Sequence, residues 1–318
     1  MRTLIALLLI VSFLALAEQS ARAQRPTQVP RIGILGSGPA FVAEFLQELR
    51  QLGYIEGKNI IVEYRFPKGN IELLPELAAD LVRLKVSVIV ASSPTASGPA
   101  IKATKTIPIV MVGGGDPVSR GFVESLSLPG GNVTGLSSDA RGLDGKRLEL
   151  LKETFPGIAR VALLNPRRRK VSVDNYALAA KELGVDLETV DVQSPAEFAR
   201  AFSKITLMSS DALITMREVL SIRHAQQITE FALKKRLPAM YESEEFVKAG
   251  GLMSYGVNYR ALWRRAAVYV DKILKGANPA VLPVEPPQFE FVINLQTAKK
   301  IGRTIPPEIL LEANEVIK

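Results

Sequence analysis

The sequence predicts an α/β protein with two doubly wound parallel-sheet lobes joined by a multi-strand hinge. Short apolar runs alternate with longer amphipathic stretches from residue 31 onward, and this alternation occurs in two separate series. Strands that are apolar throughout and separated by crossover helices are typical of parallel sheets covered on both faces. A glycine- and proline-rich segment at residues 128–135 separates the two series and marks the change of lobe.

The first series contains four predicted strands and three predicted helices. The strands are the apolar runs at residues 31–35, 60–64, 86–91 and 109–112. After the first strand, Phe45, Leu49 and Leu52 recur at helical spacing, and Gly53 then ends that helix. The other two helices are predicted at residues 71–84 and 96–104.

The second series has the same alternation. Helices are predicted at residues 143–155, 172–183, 195–204 and 221–235, and strands at 161–164, 187–190, 212–215, 239–241 and 252–255. A long helix at 259–274, a proline-rich connector, a strand at 289–293 and a helix start at 297–301 follow. Because the stiff connector indicates another pass between the lobes, we divide the chain into two discontinuous lobes. Lobe 1 is predicted at residues 30–133 plus 257–282, and lobe 2 at 134–256 plus 283–318.

Residues 1–23 are predicted to be a cleavable signal peptide. A short basic start precedes an apolar run at residues 4–17, and Ala21-Arg22-Ala23 has the small-x-small pattern of a cleavage site. About 14 apolar residues are too few to span a hydrocarbon core of about 30 Å, although an uncleaved anchor is the alternative. The mature chain is expected to begin near Gln24 and to reside in the periplasm without spanning the membrane.

The composition excludes several classes of chemistry. The 318 residues include no cysteine and one histidine, His224, so thiolate and multi-histidine metal sites are excluded and a Ser-His-Asp triad would require His224. The pattern Gly36-x-Gly38 lacks the third glycine of a dinucleotide site. We expect no catalytic residue, metal or cofactor. The net charge is +8, but the one dense basic run, residues 167–170, contains no aromatic residue, so no nucleic-acid partner is expected.

Candidate ligand-binding residues follow the predicted strands, because parallel α/β sheets bind ligands at the carboxyl ends of their strands. In the first series, Ser93 and Thr95 bring hydroxyls to a helix N-terminus, which favours an anion such as a carboxylate. Asp116 follows three glycines and could accept a hydrogen bond from an amine or hydroxyl. The loops also contain Ser37 and Gly114.

Four further candidates follow strands of the second series. Asn165 precedes a proline, Arg217 could bind a carboxylate through two parallel hydrogen bonds, and Tyr241 offers a ring and a phenol. Glu242 is the acidic residue next to Tyr241. Each candidate also has a structural interpretation, such as a helix cap for Ser93 and Thr95, a turn for Asp116 and a strand end for Tyr241.

Several motifs together resemble a known family. They occur at residues 45–54, 56–59, 103–110, 115–118, 128–135, 249–256 and 291–298, for example Gly115-Asp116-Pro117-Val118 and Leu128-Pro129-Gly130-Gly131-Asn132. The chain resembles the ABC-transporter substrate-binding proteins of the tryptophan/tyrosine-type group, which have a type I periplasmic-binding-protein fold. The resemblance implies two lobes joined by three crossovers, with the ligand in the cleft. It also implies that the loops at 93–95 and 116 contribute from one lobe and those at 165 and 241 from the other.

The sequence therefore predicts a monomeric periplasmic solute-binding protein. It would capture a small carboxylate-bearing molecule, an amino acid or aromatic acid, by closing its lobes, and deliver it to an ABC permease in the inner membrane. One alternative is a ligand-sensing subunit of a chemoreceptor or sensor kinase. The other is an exported α/β hydrolase or isomerase that depends on His224. A repressor with the same lobes would need a DNA-binding segment in place of the predicted signal peptide.

Overall fold

The computed structural model describes residues 29–36, 38–166 and 170–318. The predicted signal peptide and the candidate Ser37 lie outside these residues. The first sheet is formed by β1 (Arg31–Gly36), β2 (Ile61–Arg65), β3 (Val88–Ser92), β4 (Ile109–Val112) and β5 (Val133–Leu136). Its described strands are all parallel and run in the order β2-β1-β3-β4-β5, so the carboxyl ends of its central strands share one edge.

The second sheet is larger and mixed. Its strands are β6 (Arg160–Pro166), β7 (Asp186–Val192), β8 (Ala212–Thr215), β9 (Ala239–Tyr241), β10 (Met253–Val257), β11 (Phe289–Asn294) and β12 (Glu315–Ile317). The order of the described strands is β12-β11-β10-β9-β8-β6-β7, and only β10 and β11 pair antiparallel.

Helices cover both faces of both sheets. They are α1 (Val42–Gln51), α2 (Leu74–Arg83), α3 (Pro94–Ala103), α4 (Leu143–Thr154), α5 (Lys170–Leu183), α6 (Phe198–Leu207), α7 (Val219–Arg223), α8 (Ala225–Lys234), α9 (Glu244–Lys248), α10 (Tyr259–Leu274), α11 (Leu295–Lys300) and α12 (Pro307–Glu312). On the first sheet, α1 and α10 bury Phe45 and Trp263 on one face, while α2 and α3 bury Leu81 and Ala100 on the other. These apolar layers match the helical spacing of leucines in the sequence.

The second sheet is covered in the same way. One face packs against α4, α5, α11 and α12 through residues such as Leu151 and Ile309. The other face packs against α6, α8 and α9 through Phe198, Ile228 and Phe246. The predicted two-lobed α/β class is therefore confirmed.

Three connections between the lobes lie side by side and form the hinge. They follow β5, β10 and the 3₁₀ turn Pro279–Val281. The Ser137 amide donates to the Glu285 carbonyl at 2.9 Å, and the Asn258 amide donates to the Gln288 carbonyl at 2.8 Å. The Thr134 hydroxyl donates to the Leu282 carbonyl at 2.5 Å. These hydrogen bonds tie the three connections together, so the lobes can rotate about one shared segment.

The structure corrects several details of the sequence prediction. The second sheet has seven described strands, one more than the six predicted for the second lobe, and the extra strand is β12. Because α10 packs on the first sheet, the chain returns from the other lobe and β11 runs antiparallel to β10. The predicted helix 221–235 is wrong as a single helix, since His224 has non-helical dihedral angles and separates α7 from α8. The predicted lobe boundary after residue 133 passes through β5, whose residues all pair with β4.

Candidate ligand-binding site

A cavity of about 480 Å³ lies between the lobes and is the candidate ligand site. The β4–β5 loop lines it from the first lobe, with Asp116 and Arg120, and the connection at residues 138–141 lines it from the hinge. The second lobe contributes Arg147 of α4, the start of α5 and Glu242 after β9. This volume lies within the range of small-molecule sites in proteins. Two residues that the sequence predicted, Asp116 and Glu242, therefore reach the same cavity from different lobes.

The second-lobe wall contains a buried ionic network centred on Arg147, which is 3% exposed. Its Nη1 donates to Glu242 Oε1 at 3.2 Å and to Asp144 Oδ1 at 3.0 Å, and its Nε donates to the Tyr255 carbonyl at 2.7 Å. Burial by itself would lower the pKa of Arg147, but the carboxylate of Glu242, the hydroxyl of Tyr176 and the carboxylate of Asp144 outweigh it and raise the pKa. The guanidinium stays charged and holds two acidic side chains at the cavity wall.

On the first-lobe side, Asp116 is held by its own turn and by the hinge. Its Oδ1 accepts the Ser119 amide at 3.2 Å, and its Oδ2 pairs with Arg141 at 2.7 Å. Hydrogen bonds from Ser119 and the charge of Arg141 lower the pKa of Asp116 below its ordinary value. Gly114 is buried and directly precedes Gly115, which lines the cavity. The Gly114 amide donates to the Leu136 carbonyl at 3.0 Å. Asp116 is thus an ionised carboxylate on the cavity wall.

The hydroxyl pair predicted at the start of α3 lies outside the cavity wall. Ser93 is the N-cap of α3, and its Oγ accepts the Ala96 amide at 3.4 Å while Thr95 is exposed. Ser93 has a backbone φ of 101°, which residues other than glycine rarely adopt. This hydroxyl caps its own helix, as the structural interpretation of the sequence expected.

Two second-lobe candidates are interior residues. Asn165 is 2% exposed, and its Nδ2 donates to Asp191 Oδ1 on the neighbouring strand at 2.8 Å. Tyr241 is fully buried and its ring stacks on Phe246, with the centroids 4.9 Å apart. Burial raises the pKa of Tyr241, so the phenol stays neutral. Both residues support the end of the second sheet from behind the cavity wall.

Arg217 joins the cavity wall to the other lobe. Its backbone amide donates to Glu242 Oε2 at 2.8 Å, and its Nη2 donates to Glu245 Oε1 at 3.0 Å. Its guanidinium carbon lies 4.2 Å from the ring centroid of Tyr259, at the start of α10. Burial would lower the pKa of Arg217, but Tyr259 and the carboxylate of Glu245 raise it. Arg217 is therefore a permanent cation next to the cavity.

Sequence reasoning missed Arg147, Asp144 and Tyr259. A weak signal existed for the first two, because residues 144, 147, 148 and 151 share one face of the predicted helix at helical spacing. A charged pair on the same face as Leu148 and Leu151 indicates a buried ion pair. Tyr259 had no such signal, since its partner Arg217 lies in the other lobe.

A second carboxylate with a perturbed pKa lies behind the site. Glu290 on β11 is 8% exposed, and burial followed by the nearby charge of Glu244 raises its pKa to about 7. Glu315 also raises this pKa, whereas Lys248 and Arg260 lower it. Because the folded-state pKa exceeds the ordinary value of 4.5, the folded protein binds this proton more tightly than the unfolded chain does. That stabilisation is complete below pH 4.5 and is lost as the pH rises through 7.

The variant Glu290→Gln is expected to remove this pH dependence, because the amide has the same shape and does not ionise. At pH 8 the variant should be more stable than the wild type by about 1–2 kcal/mol after solvent screening, with little difference at pH 5. Urea denaturation at the two pH values measures the effect. Glu312→Gln, at an exposed position, is the control. Equal stabilities of the Glu290 variant and the wild type at pH 8 would contradict the prediction.

The part of the chain that the structure describes shows neither a candidate metal site nor a membrane-spanning helix. Residues 29–36, 38–166 and 170–318 contain no group of three or more His, Asp or Glu side chains placed to hold a metal ion. None of the helices in this described part of the chain is long and apolar enough to cross a membrane.

The fold and the cavity define a two-lobed α/β binding protein with its candidate site between the lobes. The chain belongs to the family of ABC transporter substrate binding proteins, which matches residues 37–317. A curated relative, the tyrosine-binding protein of Clostridioides difficile, is 28% identical over 81% of this chain and 75% of its own length. The family predicted from the sequence is confirmed.

Solved structures agree with this assignment. An ABC domain from Streptococcus pneumonia in complex with L-Trp is 25% identical, with a TM-score of 0.78 over 91% of this chain and 100% of that chain. A conserved domain protein from Vibrio cholerae is 27% identical, with the same TM-score and coverage. A leucine-binding protein from Thermotoga maritima is 16% identical, with a TM-score of 0.53 over 80% of this chain and 78% of that chain, and supports the fold alone. The fold is that of the type I periplasmic binding proteins.

Proposed function

We propose that this protein is exported to the periplasm, captures an amino acid with an aromatic side chain between its lobes and delivers it to an ABC permease. The observation that carries the proposal is the cavity of about 480 Å³ lined by charged groups from both lobes. The relatives named for tyrosine and L-Trp favour an aromatic amino acid. Export rests on the predicted signal peptide at residues 1–23.

The charges of the cavity wall suit a zwitterion. Asp116 from the first lobe and Glu242 from the second are acceptors for the ligand ammonium group. Arg120 from the first lobe and Lys170 from the second also line the cavity and supply positive charge for the ligand carboxylate. Since opposite lobes supply Asp116 and Glu242, the ligand contacts both only in the closed protein. A ligand that binds the closed state better shifts the protein toward closure.

Binding of aromatic amino acids by the purified mature protein tests the proposal. Calorimetric titration with L-tyrosine, L-tryptophan, L-phenylalanine and L-leucine is expected to give saturable binding that favours an aromatic ligand. Asp116→Asn should weaken that binding about 10- to 100-fold, because it removes a charged partner of the ammonium group. The control is Asp186→Asn, an exposed carboxylate outside the cavity. Absence of binding to the whole panel after removal of co-purified ligand would refute the proposal.

Delivery to a permease requires a separate measurement. Cells that lack the gene for this protein should take up the labelled ligand more slowly than the parent cells. Restoring the wild-type gene should restore uptake, whereas restoring the gene with Asp116→Asn should not. Unchanged uptake in the deletion strain, combined with tight binding in vitro, would favour the sensing alternative.

A further inference from the structure

The first turn of α10 contacts the second lobe through two neighbouring residues. The ring of Tyr259 lies 4.2 Å from the guanidinium carbon of Arg217, which follows β8. Arg260 Nε donates to Glu244 Oε1 at 2.7 Å, and Glu244 begins α9 after β9. Because α10 packs in the core of the first lobe, both contacts cross between the lobes.

First-lobe residues hold Tyr259 and Arg260 in place. The ring of Phe41 stacks on Tyr259, with a centroid distance of 6.2 Å and an interplanar angle of 13°. Arg260 also forms an ion pair with Glu44 of α1. Its guanidinium carbon lies 5.6 Å from the Phe41 ring centroid. The first lobe therefore presents a preorganised ring and cation to the second lobe.

We call these six residues the clasp: Phe41, Glu44, Arg217, Glu244, Tyr259 and Arg260. None of the six lines the described cavity wall. One hydrogen bond links the two regions, because the Arg217 amide donates to Glu242, which lines the cavity. A change of the clasp side chains can therefore alter the contact between the lobes without removing a group from the cavity wall.

We propose that the clasp sets the fraction of ligand-free protein in which the lobes are closed. Glu244 is 6% exposed and Arg260 is 38% exposed, so their ion pair is better shielded from water than a surface pair. The cation–π contact of Arg217 with Tyr259 stabilises the same closed arrangement. Separating the lobes breaks both contacts and returns these groups to water. The clasp thereby favours closure before any ligand arrives.

The consequence for binding rests on the proposed function. When only the closed state has the complete site, the apparent dissociation constant equals the intrinsic constant divided by the closed fraction. A weaker clasp lowers that fraction and weakens binding, although each contact with the ligand is retained. A clasp variant is thus expected to bind the same ligands in the same order of preference, with lower affinity.

The distance between the lobes in ligand-free protein tests the proposal directly. The chain has no cysteine, so Lys102→Cys on α3 and Lys181→Cys on α5, both exposed, allow one spin label in each lobe. Double electron–electron resonance is then measured for the labelled parent, Tyr259→Leu and Glu244→Gln. Both variants are expected to shift the distribution toward longer distances. Because Glu244→Gln preserves the side-chain shape, it still tests the proposal if Tyr259→Leu folds poorly.

Matched controls separate the clasp from a general effect on α10. Tyr259→Phe keeps an aromatic ring against the Arg217 guanidinium. Arg264→Met removes an exposed cation of the same helix. Both controls should keep the parent distance distribution. If Glu244→Gln and Tyr259→Leu also keep it, the proposal is overturned.

A second measurement extends the test to affinity. Tyr259→Leu should bind the ligand about 5- to 20-fold more weakly, whereas Tyr259→Phe should match the parent. The distance measurement contains no ligand. A failure to find any ligand would therefore refute the proposed function and leave the result on the clasp intact.

Discussion

Replacing Arg147 with methionine is expected to lower the free energy of unfolding by about 3–5 kcal/mol. Arg147 is 3% exposed and contacts both Glu242 and Asp144. Methionine fills much of the same volume but has no charge, so the two buried carboxylates lose the cation that they share. Urea denaturation at pH 7 measures the change.

Two further variants identify the cause of this loss. Arg141→Met removes a cation from the same cavity, but Arg141 is 67% exposed and its loss should cost less than about 1 kcal/mol. Adding Glu242→Gln to Arg147→Met should recover part of the stability, because one buried charge is then neutral. An Arg147→Met protein as stable as the wild type would show that the network contributes nothing to folding.

Replacing Gly256 with alanine is the second large effect that we expect. Gly256 lies in β10, and a Cβ atom there would meet the backbone oxygen of Glu242 at 1.9 Å. Backbone cannot move aside as a flexible side-chain end can, so β10 and the chain at Glu242 must separate. We expect a loss of about 2–4 kcal/mol in the free energy of unfolding, measured by urea denaturation.

The same substitution should also weaken ligand binding, because Glu242 lines the cavity. Gly131→Ala is the control, since nothing lies within 4 Å of a Cβ atom there and the backbone needs no positive φ. A Gly256→Ala protein with wild-type stability and affinity would contradict the close approach of β10 to residue 242.

Local periodicity predicted most of the fold correctly, because apolar strands and helical leucine spacing are properties of neighbouring residues. The strand predicted at 212–215 and the helix predicted at 259–274 coincide with β8 and α10. The prediction was wrong where contacts between residues distant in sequence determine the structure. The short strand β12 exists because β11 offers it an edge, and the direction of β11 follows from the return of the chain from α10.

The candidate site was predicted in part. Asp116 and Glu242 line the cavity because each lies in the loop after the carboxyl end of a strand that pairs parallel with its neighbours, β4 for Asp116 and β9 for Glu242. Tyr241, one residue earlier, points into the core and stacks on Phe246 instead. Successive residues of a strand point to opposite faces, and the sequence does not state at which residue the strand ends.

The two-lobed plan and the family could be inferred without a structure, because both follow from local patterns and from motifs distributed along the chain. Which charges meet at the cavity depends on how the chain packs. Arg147 contacts Glu242 and Tyr255, which are 95 and 108 residues away in sequence. No local periodicity encodes such a pairing. It arises because the packing of α4 on the second sheet brings the buried Arg147 guanidinium to the Glu242 carboxylate and the Tyr255 carbonyl, which water no longer solvates.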